Sequence, residues 1–350
     1  MARFSEVLTI INGRNQKQVE NPTGKYPIYG SGGIMGYADD YICEPNTVVI
    51  GRKGSINKPI YVETPFWNVD TAFGLMAKEE ILSSKYLYYF CENFDFERLN
   101  TTVTIPSLTK ANLLQIEIPL PPLQAQHHIA AALDKVSDLI ALRKQQLAKL
   151  DELVKARFVE MFGDRWANNM AWEHCLLNDC ADFYNGKAHE QVTDADGEYI
   201  LVTSKCIASN LRDYRKTNTM LLPLKTGDIC MVMSDVPNGK ALAKCLLIVE
   251  NNRYTLNQRI CCFRNYKFNS LFFYHLLNRH EYLLSFDDGD SQTNLRKDEI
   301  LACPIIVPPM VLQEDFAAFV QTVDQSKDTI RQGLDKLETL KSALMQEYFG

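Results

Sequence analysis

The stretch PPLQAQHHIAAALDKV, from Pro121 to Val136, is answered by PPMVLQEDFAAFVQTV, from Pro308 to Val323, at an offset of 187 residues. Holding that offset, Gln126 meets Gln313, Ala130-Ala131 meets Ala317-Ala318 and Val136 meets Val323. Further on, Leu147 meets Leu334, Lys149-Leu150 meets Lys336-Leu337, and Phe162-Gly163 meets Phe349-Gly350. No gap is needed over the 43 residues concerned. Self-similarity at one long, fixed offset indicates duplication of a whole unit, not a solenoid of small repeats. A chain of 350 residues then holds two copies of one plan, each long enough for its own core.

The repeated segment carries a helical pattern. In the first copy the apolar positions are Ile129, Leu133, Val136, Ile140, Leu147, Leu150, Val154 and Met161, with Arg143 and Arg157 in the same stripe. In the second they are Phe316, Val320, Val323, Ile330, Leu334, Leu337 and Leu344, with Lys327 and Lys341 in the stripe. Steps of three and four held this long are heptad spacing. The proline pairs stand where a helix starts, and Gly163 and Gly350 where one should stop. Each helix should run about 37 residues, or about 55 Å. One such helix alone leaves an apolar stripe in water, whereas two in one chain can bury each other. The bland alternative is two unrelated helices, each seeking an outside partner.

The regions before the helices also correspond. IINGRNQ (Ile10–Gln16) matches FYNGKAH (Phe183–His189), and SLTKANLLQIEIPLPP (Ser107–Pro122) matches NLRKDEILACPIIVPP (Asn294–Pro309). Between these bookends the copies diverge into short β-branched and aromatic runs separated by Gly, Asn, Ser and Pro turns, which read as strands. KYLYYFCENFDFERL (Lys85–Leu99) and SLFFYHLLNRHEYLL (Ser270–Leu284) read as helices in matching places. The expected architecture is α/β (α+β): a globular domain over 1–118, a long helix over 119–163, a linker over 164–171, a second domain over 172–305 and a second helix over 306–350. The framework is duplicated and the surfaces it carries are not, as a reader of two different sites would require.

In these features the chain resembles the specificity (S) subunit of type I restriction–modification systems. The resemblance rests on Asn-Gly-basic near each domain start, the closing L-x-K-x-x-L…P-P…Q passages, the long helices ending in Phe-Gly, and the duplication. FWNVDTAFGL (Phe66–Leu75) and TLNQRICCF (Thr255–Phe263) also look like the family's mid-domain strand. The first helix departs from the family pattern in opening LQAQHH, where the second keeps an acidic neighbour in LQED. The resemblance implies a non-enzymatic protein whose two target recognition domains each read half of a split site in double-stranded DNA. It implies helices paired as an antiparallel coiled coil with a pseudo-two-fold internal repeat, acting as a ruler for the unread spacer. It also implies docking of methyltransferase (M) subunits, two of them, and of restriction (R) subunits. No cofactor is expected in this chain; S-adenosylmethionine, ATP and Mg would belong to the partner subunits.

Charge argues against a freestanding DNA binder. The net charge is −6 and the pI about 5.6. Residues 1–118 hold 11 basic and 13 acidic residues, and 172–305 hold 15 and 17. Basic residues nevertheless cluster in polar loops, and these are the candidate DNA contacts. In the first domain they are Arg14, Ser31, Arg52, Lys53, Ser55, Asn57 and Lys58. In the second they are Lys187, Lys205, Arg212, Arg215, Lys216, Asn238, Lys240, Arg253, Gln258 and Arg259. Lysines there suit phosphates, and Arg, Asn and Gln suit base edges. The alternative for each loop is plain solvation, and for the whole chain a protein-binding adaptor with two domains on a coiled coil.

Catalytic patterns are missing. There is no Asn-Pro-Pro-aromatic methyltransferase motif, no Walker A loop and no G-x-S-x-G elbow, and YGSGGIMG lacks the G-x-G-x-x-G spacing. Asp39-Asp40 and Asp287-Asp288 read as solvated loop carboxylates, and His127 and His128 as surface residues. The ten cysteines form no C-x-x-C and read as reduced, mostly buried thiols; His174, Cys175 and Cys180 are too loose a group to count as a metal site. With no apolar run long enough for a membrane and no secretion signal, the expected location is cytoplasmic.

Overall fold

A computed structural model describes residues 1–99, 107–189, 193–236 and 239–350. The chain divides into two compact units, Met1–Gln146 with Ile330–Gly350, and Leu147–Thr329. Each unit therefore holds one globular domain, the start of one long helix and the end of the other.

In the first unit a four-stranded antiparallel sheet has the order Leu8–Asn12, Ala72–Ala77, Thr47–Gly51, Ile60–Val62. A three-stranded sheet has the order Gly33–Ala38, Tyr26–Gly30, Trp67–Asn68, the last pair parallel. Ala2–Arg3 pairs with Glu117–Ile118 and closes the domain. The central strands Thr47–Gly51 and Ala72–Ala77 are apolar on both faces because both are covered. One face packs on the helix Ser84–Asn93 through Val48, Ile50, Phe73, Leu75, Tyr86, Leu87 and Phe90.

In the second unit the four-stranded sheet runs Asp182–Asn185, Ile260–Arg264, Ile229–Val232, Cys245–Leu247, and the three-stranded one runs Arg215–Thr217, Tyr199–Val202, Tyr254–Leu256. His174–Leu176 pairs with Pro304–Ile306. Strand order and direction match the first unit sheet for sheet. Nine of the ten cysteines are buried, and burial raises the thiols of Cys43 and Cys303 to about 12.

The long helices span Leu123–Phe162 and Met310–Phe349, each directly after its proline pair. The repeated glutamine explains why that passage occurs twice. Gln126, fully buried, accepts a hydrogen bond from Ser83 N (2.8 Å) and donates to the carbonyls of Ile81 (3.0 Å) and Pro121 (2.8 Å). Gln313 accepts from Asn269 N (2.9 Å) and donates to Pro308 O (2.8 Å). Ser83 and Asn269 are the N-caps of the domain helices Ser84–Asn93 and Ser270–Leu277. Each glutamine thus ties the start of a long helix to the start of a domain helix. The repeated lysine of the bookend reaches the first strand of the larger sheet in both copies, by different contacts: Lys110 Nζ donates to Ile10 O (2.8 Å), and Lys297 Nζ lies 5.5 Å from the Phe183 ring.

Within the first unit Leu133 packs with Met345, and Lys144 pairs with Glu338 at 2.8 Å. Within the second, Asp151 pairs with Lys327 at 2.7 Å, and Phe158 and Phe162 meet Phe316 with ring centroids 5.4 and 5.6 Å apart. As one helix advances its partner recedes, so the segments run antiparallel in both units. Gly163 stops the first helix at φ +73°, a conformation that costs glycine little.

Candidate nucleic-acid interface

One end of each four-stranded sheet collects the basic loops. In the first unit, the chain leaves strand Leu8–Asn12 into Gly13-Arg14, leaves Thr47–Gly51 into Arg52–Lys58, and enters Ala72–Ala77 from Asn68–Thr71. Antiparallel pairing puts these three connections together. Backbone bonds fasten them: Arg14 N to Asn68 O (2.8 Å), and Arg52 N to Thr71 O (2.8 Å). A Cβ on Gly13 would lie 1.8 Å from Val69 O, and one on Gly186 would lie 1.9 Å from Asn257 O. The glycine of both Asn-Gly-basic passages is therefore required by close backbone approach, and the next residue, Arg14 or Lys187, is carried onto the exposed end of the sheet. Ser31 joins the same end from the smaller sheet, since a Cβ on Gly51 would lie 2.9 Å from Ser31 Cβ and 2.4 Å from Ser55 O.

In the second unit the corresponding end gathers Lys187, Gln258, Arg259 and Lys240. Lys187 N donates to Leu256 O (3.0 Å), and Met233 N donates to Arg259 O (3.2 Å). Arg14, Lys53, Lys58, Lys187, Lys240 and Arg259 are exposed, with no ion pair or side-chain hydrogen bond among the described residues. Among the described residues the Arg52 side chain meets the Phe73 ring, 5.8 Å from Cζ, and no carboxylate pairs with it. Cations without an ion pair among the described residues, on ends of rigid sheets, suit phosphate and base-edge contacts, though Asp70 is exposed in the same group of loops.

Other candidates are engaged elsewhere. The Asn57 amide donates to Asp95 Oδ1 (3.0 Å) and its carbonyl accepts from Phe96 N (2.8 Å), so it holds the turn Phe96–Leu99. Arg253 is gripped by both oxygens of Glu250 (2.8 and 2.6 Å), which raises its pKa, and it sits at the opposite end of the smaller sheet from Asn257. Lys205 pairs with Asp213 at 2.6 Å. Arg212, Arg215 and Lys216 lie on or beside the outer strand of the smaller sheet. Asn238 lies outside the described residues.

Sequence reasoning missed three exposed neighbours of the first cluster: Ile34, Met35 and Asp70. It also missed Arg165, whose guanidinium pairs with Glu281 (2.7 Å) and donates to the carbonyls of His275, Leu276, Asn278 and Arg279, fixing the linker to the second domain. The linker sequence alone contains no sign of those carbonyls. Among the described residues there is no group of three or more His, Cys, Asp or Glu side chains arranged to hold a metal. No described helix is long and apolar enough to cross a membrane.

The family model described as type I restriction modification DNA specificity domain matches residues 1–152 and again 169–339. The chain belongs to that family. The two matched segments correspond to the two domain-plus-helix copies. The specificity-domain chain is 21% identical over 327 residues to the MjaVIII specificity subunit of Methanocaldococcus jannaschii, covering 85% of this chain and 74% of that one. It is 31% identical over 142 residues to the Haemophilus influenzae specificity protein S.HindORF215P, covering 39% of this chain but only 37% of that relative. Its fold matches the S subunit from M. genitalium with a TM-score of 0.61 at 17% identity, over 100% of this chain and 95% of the other. A chain from a type I restriction–modification complex gives 0.59 at 14% identity, over 99% and 96%. The expected family and a mixed α/β fold of specificity-subunit type are thus both found. The family's description is one of DNA specificity.

Proposed function

We propose that this chain is the DNA-specificity subunit of a type I restriction–modification complex and that each unit reads one half of a split target. The observation that carries the reading is the repeated sheet end: the same topology brings unpaired cations together twice, with different side chains each time. Arg14, Ser31, Arg52, Lys53, Ser55 and Lys58 serve one half-site, and Lys187, Lys240, Gln258 and Arg259 the other. Arg212, Arg215 and Lys216 extend the second contact along the outer strand.

The long helices pair as one antiparallel coiled coil with pseudo-two-fold symmetry, and their length sets the unread spacer. Readers of successive major grooves on one face must stand about 34 Å or more apart, which helices of 40 residues can span. The helices also dock two methyltransferase subunits, which supply S-adenosylmethionine chemistry. Restriction subunits bring ATP and Mg, and the assembly works in the cytoplasm. The acidic balance of both domains supports weak binding by the isolated chain and tight binding with its partners. Methylome sequencing with and without this gene tests the reading. A bipartite adenine motif that vanishes with the gene is the expected result; an unchanged methylome would refute it.

A further inference from the structure

The first unit carries an apolar hairpin tip beside its cations. Tyr26–Gly30 and Gly33–Ala38 form a hairpin turning at Ser31-Gly32, within the three-stranded sheet that Trp67–Asn68 completes. Ile34 is 56% exposed and Met35 63%. The register shifts between Ile28 and Tyr29: Ile28 faces Gly36 and Tyr29 faces Ile34, so Met35 is the bulged residue. A bulge re-aims a side chain and turns the strand. Met35 folds back over Gly30, where a Cβ would meet its Sδ at 2.5 Å. The tip is seated against the basic loop through the Ser31–Gly51 contact described above.

We propose that Ile34 and Met35 make an apolar contact with a thymine 5-methyl group in the half-site read by the first unit. The inference rests on the reading that this sheet end contacts DNA, and it names the chemistry of one contact. The hairpin turn projects Ile34 and Met35 at the sheet end, where they can reach into a major groove about 12 Å wide, and the thymine methyl is the apolar group displayed there. Two side chains flanked by Arg14, Arg52 and Lys53 form too small an apolar patch for a protein interface, which takes several hundred Å². The flanking charge suits a phosphate-lined groove. The corresponding connection of the second unit is built differently: Thr203–Tyr214 joins the matching strands through the helix Ser204–Ala208, and it presents Arg212. The contact therefore belongs to one half-site only.

The test uses the chain assembled with its methyltransferase partner and duplexes carrying the target found by methylome sequencing. Each thymine is replaced singly by deoxyuridine, which deletes only the methyl group. Removing the contacted methyl should weaken binding about fourfold, as expected for one buried methylene-sized group. A chain with Ile34→Ala and Met35→Ala should bind the thymine duplex more weakly than the parent does. It should bind thymine and deoxyuridine duplexes equally at that position. Coupling should appear in one half-site and not in the other. Specific binding with no coupled position overturns this inference alone, as does loss of the methyltransferase subunit on substitution, which would make the tip a protein contact. Absence of any split-site preference would refute the underlying reading, and this inference with it.

Discussion

Replacing Gln126 by alanine isolates the bracket between the first long helix and its domain. The side chain is fully buried and serves three backbone groups: Ser83 N–H and the carbonyls of Ile81 and Pro121. Ser83 N lies at the start of a helix, where no intrahelical acceptor exists. A buried group left without its partner costs about 1–3 kcal/mol, and carbonyls tolerate the loss better than an N–H. The three together amount to about 3 kcal/mol. At about 2–4 °C per kcal/mol for a unit of this size, the first unit should melt about 6–12 °C lower. Gln313→Ala removes the partner of one N–H and one carbonyl and should cost about 2 kcal/mol in the second unit. Gln145→Ala, on the exposed helix surface, is the control and should stay within about 0.5 kcal/mol. Scanning calorimetry reads all three. If Gln126→Ala shifted the melting no more than Gln145→Ala, the bracket would have no energetic role and the repeated glutamine would need another explanation.

Lys327 is nearly buried, while its partners Asp151 and Asp324 are mostly exposed. Lys327→Met should therefore be neutral or stabilising in thermal unfolding, and Lys327→Glu destabilising. His280, fully buried, accepts from Tyr282 N through Nδ1, so its ring is neutral in the fold; burial, helped by Arg165, lowers its pKa to about 4. Because the unfolded chain takes up that proton near pH 6.5 and the folded one near 4, this histidine should withdraw stability as pH falls from about 6.5 to 4, by up to about 3 kcal/mol. Urea titrations at pH 7 and 4.5 should show a smaller loss in His280→Gln. Arg52→Ala and Arg259→Ala should each cost about 1–3 kcal/mol and relax one position of one half-site, the two falling in opposite halves of the methylated motif. Four residues inserted after Gln146 and four after Gly333 lengthen each helix by about 6 Å and nearly keep its face. The unread gap in the methylome should then grow by one or two base pairs; an active variant with its original gap would refute the ruler.

Much was legible before any coordinates, because it depended on period and offset. The helices, their proline starts and their glycine stops follow from residues near one another in sequence, and the duplication from matches at one fixed offset along the chain. The candidate interface was legible by half. Arg14 and Arg52 lie in separate loops, yet both were candidates, because each is a basic residue in a turn-rich passage. Asn57 looked equally suitable, and its engagement with Asp95 and Phe96 could not be read from GRKGSINK. Arg253 was beside an acidic residue three positions earlier, a signal that an i,i+3 ion pair was available and that the side chain could be taken.

By itself, the sequence determined that this chain is built twice from one plan of domain and helix, since hydrophobic period and a repeat at fixed offset are read along the chain without knowing which residues meet in space. Only the tertiary structure decided which cations stand free together. Strand pairing brings Arg14 and Arg52 to one end of the first sheet and Lys187 and Arg259 to one end of the second, whereas the end of a domain helix supplies carbonyls to Arg165, and carboxylates close in the chain take Arg253 and Lys205. The same residue type is a structural tie in one place and a candidate reader in another. What separates them is the distance to the nearest acceptor, and for Arg165 that acceptor lies more than a hundred residues away along the chain.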